Sequence, residues 1–110
     1  MTKPVVIIES PYAGDILTNE TYARRCMKDS FSKGEYPFAS HILYTQPGIL
    51  DDTIPEERKL GMEAGWEILK RSDYSVVYED YGMSRGMEEG IKIAEKLRHK
   101  IEYRKIGKNV

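Results

Sequence analysis

The chain predicts a single α/β domain, with a four- or five-stranded, mainly parallel sheet and helices on both faces. Three observations carry that prediction. The length of 110 residues suits one hydrophobic core rather than two. Short β-rich runs alternate with stretches of helical periodicity, the pattern of strand–helix–strand units. The first run, Val5-Val6-Ile7-Ile8, is continuously apolar, as expected of a strand covered on both faces. With no internal repeat, low-complexity tract or linker, residues 1–110 read as one domain.

The elements follow in order. The first strand stops at the turn-forming loop "ESPYAGD". A helix then starts near Thr18 or Asn19, either of which can cap it. Its apolar stripe of Ala23, Cys26, Met27 and Phe31 runs to a stop at Lys33-Gly34. A second strand is predicted over residues 38–44, followed by a turn at Pro47-Gly48. Thr53-Ile54-Pro55-Glu56 reads as a capping box with an early helical proline, opening a second long helix. That helix is expected to bury Leu60, Ala64 and Ile68, with Gly61 and Gly65 permitting close approach to a neighbour. The third strand is Tyr74-Ser75-Val76-Val77-Tyr78. A last helix begins at Ser84 and turns Met87, Gly90, Ile91, Ala94 and Leu97 inward. A strand over residues 101–104 closes the sheet. In such sheets ligands bind beyond the carboxyl ends of the strands, where strand order reverses. This directs attention to the loops 10–15, 45–52 and 80–84.

Composition excludes several function classes. The net charge is −1 with both signs interspersed, so there is no basic stripe of the kind that binds a DNA or RNA backbone. The basic residues of the last dozen are interrupted by acids and read as a solvated face. A single cysteine, Cys26, makes no internal disulfide, and its place on an apolar stripe reads as a small buried hydrophobe rather than a nucleophile. No apolar run reaches membrane-span length, and the opening residues lack a signal-peptide pattern. The expectation is a soluble cytoplasmic protein.

The loop 10–15 places Ser10, Tyr12, Gly14 and Asp15 directly after the first strand. These can cradle a phosphate or a ribose beside a helix start, or simply make a turn. The loop is neither GxGxxG nor a P-loop, which argues against a nicotinamide or ATP cofactor, and none is predicted. His41 and His99 are far apart, and with one cysteine they give no metal-ligand spacing, so no metal site is expected. His99 looks exposed. "YGMSRGM" is not the GxSxG of a nucleophile elbow. Carboxylates remain the chemical resource, with Asp51, Asp52, Glu79, Asp80, Glu88 and Glu89 in or beside the loops. Each is also readable as a solvated surface charge. Tyr12, Tyr44 and Tyr81 suit stacking on a base, or filling strand ends. The most specific local feature is "SRGM". Ser84 can cap the last helix while Gly86 lets an anionic or hydroxyl group approach the amides at the positive end of the helix dipole.

Four segments, "IIESPYAGD", "FASHILYTQPGILDD", "RSDYSVVYED" and "GMSRGMEEGIKIA", resemble the nucleoside 2-deoxyribosyltransferase-like superfamily. Within it they resemble a branch of short bacteriophage and bacterial proteins, over nearly the whole chain and in the same order. The resemblance implies a Rossmann-like sheet and a nucleoside or nucleotide as the small-molecule partner. It also implies a helix-borne glutamate that attacks the anomeric carbon and releases the base. Ser84, Gly86 and Met87 match the leading positions of that motif, but the glutamate's place falls on Gly90. Glu89 is one residue along, a rotation of roughly 100°. The leading expectation is therefore a binder that sequesters a nucleotide or nucleotide-derived signal. Ser10, Tyr12 and Gly14 would act on one side, and Ser84, Gly86 and Met87 on the other. His41, Tyr44 and Gln46 would contact base or sugar. The rival is an N-glycosidase or deoxyribosyltransferase using Glu89, Glu79 or Asp80, and below it a ligand-free interaction protein. Relatives that share sites between subunits, together with an exposed-looking Trp66, suggest a homo-oligomer.

Overall fold

The computed structural model describes residues 2–107. Four strands, β1 (Val5–Glu9), β2 (Tyr36–Phe38), β3 (Tyr74–Tyr78) and β4 (Lys100–Arg104), form one sheet. Its order is β2-β1-β3-β4 and every pairing is parallel. Four helices connect them: α1 (Ile16–Ser32), α2 (Ser40–Leu43), α3 (Pro55–Lys70) and α4 (Arg85–Lys96). The chain steps from β1 to β2 on one side, then to β3 on the other. The carboxyl ends of β1 and β3 therefore flank the point where winding reverses, where a crevice is left open for a ligand. Glu9 pairs in register with Val77 at that point.

Both faces of the sheet are covered, which is why the strands read as apolar runs rather than alternating ones. On one face Val6, Ile8, Val76 and Tyr78 pack with Tyr22 and Cys26 of α1. On the other, Ile7 packs with Leu69 of α3 and Ala94 of α4. Burial pushes the Cys26 thiol up to about 12, so it stays protonated and apolar, as its stripe suggests.

Several local readings are corrected. Residues 38–44 are not a strand: β2 ends at Phe38, and Ser40–Leu43 turn helical, carrying His41 with them. β2 is a short edge strand with Pro37 in its centre, which tolerates the lost donor only because β1 lies on one side alone. α1 starts earlier than Thr18, because Asp15 caps it by accepting from the Thr18 amide at 3.2 Å and the Thr18 hydroxyl at 2.8 Å. The capping box at Thr53 does not form. The Thr53 hydroxyl is taken by Asp51 at 2.6 Å, Ile54 is the N-cap without a side-chain bond, and Glu57 rather than Glu56 reaches back, to the Asp51 amide at 2.9 Å. Phe31 and Leu60 are both 58% exposed. Trp66 and His99 are half-buried rather than exposed. By contrast Ser84 caps α4, with its hydroxyl accepting from the Met87 amide at 3.2 Å.

A polar cluster ties the far edge of the sheet to α1. Glu35, just before β2, receives both terminal nitrogens of Arg104 at 2.9 and 2.6 Å, the Ser30 hydroxyl at 2.7 Å and the Tyr74 hydroxyl. Burial pulls the Glu35 carboxyl up, but those donors outweigh it and hold it down at about 2. A buried carboxylate is tolerable here because each oxygen is paired.

Candidate functional site

A cavity of about 210 Å³ opens at the reversal point. It lies below the roughly 300–1,000 Å³ typical of ligand sites, so it suits one compact ligand group rather than an extended dinucleotide. Its walls come from the ends of β1 and the loop after it, from α2 and the segment leading to α3, from one face of α3, and from the start of α4.

The floor is built by β1. Side chains alternate along a strand, so Glu9 falls on the same face as Ile7, toward α3 and α4. The opposing residue on α4 is Gly90, which is buried. A Cβ placed on Gly90 would stand 2.8 Å from the Glu9 Cδ and 3.1 Å from Oε1, and nearer still to Oε2. Real Cβ contacts essentially never fall below 3.0 Å. The glycine is therefore what lets the Glu9 carboxyl lie against α4. No donor or cation among the described residues pairs with that carboxyl. Burial pushes it up to about 8, so at neutral pH it is mostly an uncharged acid.

The next residue, Ser10, is buried on its other side against α2, with Oγ 2.7 Å from His41 Nε2. Burial lowers the His41 pKa to about 4, leaving a neutral imidazole. α2 reaches this place because α3 approaches it closely: a Cβ on Gly65 would stand 2.8 Å from Ser40 Oγ. The expected role for this glycine is the one it fills. Besides Glu9, the charged residues of the lining are Asp52, Glu57, Arg58 and Arg85, of which Arg58 and Arg85 are exposed. Arg58 and Asp52 approach to 3.7 Å. At the start of α4 a Cβ on Gly86 would meet nothing within 4 Å, so there is open space beside the first turn.

Of the residues the sequence proposes for ligand contact, seven line this cavity together: Ser10, Tyr12, His41, Tyr44, Ser84, Gly86 and Met87. Gly14 and Gln46 are not among its lining, and both are exposed. Glu79, Asp80 and Glu89 also lie outside the lining. Asp80 is committed elsewhere, accepting from the Tyr22 hydroxyl at 2.6 Å and from the Ile106 and Gly107 amides at 2.9 and 2.7 Å. Burial pulls its carboxyl up, but these donors prevail and hold it below the usual range. The residue that sequence reasoning missed is Glu9. The signal was present: a carboxylate ending an apolar strand, one residue before the ligand-side loop. No group of three or more His, Cys, Asp or Glu among the described residues is arranged to hold a metal ion, and no helix is long and apolar enough to cross a membrane.

A family model described as "Domain of unknown function (DUF7768)" matches residues 4–104, and the chain belongs to that family. No curated protein matches the sequence. Among solved structures, the chain is similar to a 2-deoxyribosyltransferase from the psychrotolerant bacterium Bacillus psychrosaccharolyticus, at 16% identity and a TM-score of 0.64. The likeness covers 92% of this chain and 72% of that one. At this identity it establishes the fold: a parallel α/β sheet of the deoxyribosyltransferase type.

Proposed function

We propose that this DUF7768 chain binds a nucleoside or nucleotide in the cavity beside Glu9 and holds it without turning it over. The observation that carries this reading is the Glu9 carboxyl lying against Gly90, the position where the deoxyribosyltransferase resemblance sets a helix-borne glutamate nucleophile. A nucleophilic carboxylate must be ionised to attack an anomeric carbon. A carboxyl held up to about 8 is mostly protonated at pH 7 and suits hydrogen bonding instead. The fold relative is a 2-deoxyribosyltransferase used for nucleoside synthesis, which supports a nucleoside-sized ligand. Ser10, Tyr12, His41 and Tyr44 form one wall, and Ser84, Gly86 and Met87 the other. Gly14 and Gln46 would act only as second-layer support. Sequestration of a nucleotide-derived signal and self-association into a homo-oligomer belong to the same reading.

The same carboxyl favours a second reading, cleavage of an N-glycosidic bond with Glu9 in place of a helix glutamate. Glu89, Glu79 and Asp80 have less support as that carboxylate, since none borders the cavity. One experiment separates the two. The protein is incubated with the four deoxynucleosides and their 5′-monophosphates; binding is measured by calorimetry and free base by chromatography. Saturable binding with no base released above the buffer rate is expected. Base release that disappears in Glu9→Gln would replace the binding reading with the catalytic one.

A further inference from the structure

We propose that Glu9, which lines the cavity at the end of β1 and lies against Gly90, is the specificity-determining residue of the cavity. It donates one hydrogen bond and accepts another from an uncharged polar group of the ligand, so that any phosphate is turned outward to the rim. The inference rests on the nucleoside reading of the site and names which part of the ligand goes where. The floor supplies no compensating charge. Glu9 has no donor or cation beside it among the described residues, and Ser10 and His41, also on the lining, hydrogen-bond each other at 2.7 Å. A buried phosphate against a carboxyl and a neutral imidazole would be unpaired, which costs far more than any contact returns. A hydroxyl or amide edge of a sugar or base supplies both a donor and an acceptor, which a neutral carboxyl matches atom for atom. The cations Arg58 and Arg85 border the cavity and are exposed, as is Gly86 at the start of α4, where an anion is stabilised by the helix dipole.

The consequence is a ligand affinity that falls as Glu9 loses its proton. Other titratable or charged groups bordering the cavity are Tyr12 from the loop after β1, His41 and Tyr44 at α2, and Asp52 before α3. Glu57 and Arg58 lie on α3 and Arg85 on α4. His41 is neutral throughout the relevant range, since its pKa is near 4. The variant Glu9→Gln separates Glu9 from the remainder, because an amide mimics the acid form and does not titrate.

The test has two arms. In the first, the protein is labelled with ¹³C at the glutamate carboxyl carbons, and the Glu9 resonance is assigned by its loss in Glu9→Gln and followed by NMR from pH 4 to 10 without ligand. In the second, calorimetry measures binding of the deoxynucleosides and their 5′-monophosphates at pH 6 and pH 9. Wild-type affinity is expected to fall about tenfold between those values, the fraction of binding-competent protein left one unit above the midpoint. Glu9→Gln is expected to bind deoxyadenosine and deoxycytidine, which do not titrate in this range, with a pH-independent affinity, and Glu9→Ala to lose binding at both values. A wild-type affinity that does not change with pH, or a Glu9→Gln variant that binds no better than Glu9→Ala, would overturn the inference. If no nucleoside or nucleotide binds at either pH, the nucleoside reading fails. The acid form of Glu9 is then judged on the NMR arm alone: a midpoint well above 7 supports it and one near 4.5 overturns it.

Discussion

The contact between Glu9 and Gly90 gives the sharpest structural prediction, because one residue blocks the other's best substitution. Glycine inside a helix costs about 1 kcal/mol relative to alanine, so Gly90→Ala in the middle of α4 should stabilise the protein by that amount if nothing stood in the way. Something does. The new methyl would stand 2.8 Å from the Glu9 Cδ and closer still to Oε2, inside the 3.0 Å below which real Cβ contacts essentially never fall. The obstacle is the tip of a flexible side chain facing a cavity, so it can swing away. Leaving a favoured rotamer costs about 0.5–1.5 kcal/mol, and the net effect of Gly90→Ala on the wild type is therefore near zero or slightly unfavourable. In a Glu9→Ala background the carboxyl is gone and the gain of about 1 kcal/mol should appear. Chemical denaturation of wild type, both single variants and the double variant at pH 6 should reveal a coupling free energy of about 1 kcal/mol, within the range for residues in direct contact. Additivity within about 0.3–0.5 kcal/mol would show that the two residues do not share this space.

Three further outcomes follow from named contacts. Arg104→Met should cost about 3–5 kcal/mol in urea denaturation, the cost of leaving one member of a buried ion pair uncompensated. The side chains of Arg104 and Glu35 are only 12% and 4% exposed; a loss under 1 kcal/mol would mean that Glu35 reaches water. Gly86→Ala should leave the melting temperature unchanged or raised, since its methyl meets nothing within 4 Å, yet weaken nucleoside binding several-fold by filling space at the start of α4; unchanged affinity would remove Gly86 from the site. Glu9→Gln should alter the pH dependence of stability in a defined direction. Above its ordinary 4.5 the unfolded chain releases the Glu9 proton, while the folded chain keeps it until about 8. Folding therefore loses stability across that window as pH rises. Melting curves should show Glu9→Gln gaining on the wild type from pH 5 to pH 8 and no further; a constant difference would contradict the raised pKa.

The layers of the fold were legible because they depend on patterns spread over many residues. Val5–Ile8, Tyr74–Tyr78 and the Ser84 cap with its Met87 partner were readable from periodicity and capping chemistry alone. What failed was local competition that sequence spacing does not encode. The Thr53 hydroxyl could accept from a helix amide as a cap, but it donates to Asp51 instead. Residues 38–44 are β-rich in composition, yet an edge position and Pro37 let the chain turn into α2. The same limit hid Glu9. Its position in the sequence marks it as the last residue of a strand, while its importance comes from Gly90, 81 positions later, which only packing brings opposite. Seven of the nine proposed ligand residues border the cavity because the rule about carboxyl ends of parallel strands is topological and needs no side-chain detail. Among the catalytic candidates, Glu89 was chosen for nearness to Gly90 along the helix and Glu79 and Asp80 for lying beside a ligand-side loop, and neither kind of nearness is nearness across a crevice.

A carboxyl over the same spot can thus be supplied from either wall, and the choice of wall changes its chemistry. Carried by the helix, it would project from α4 into the open cavity and leave the end of β1 free. Carried by β1, it must cross the floor and rest on a bare stretch of helix. No donor among the described residues meets it there, and its surroundings withdraw water from it. That placement favours the neutral acid. A neutral acid fixed at the end of a buried strand is poorly suited to attack and well suited to match a donor and an acceptor on one ligand edge. On the proposed reading, a carboxyl carried by the strand in place of one carried by the helix shifts the site from forming a bond toward recognising a ligand edge.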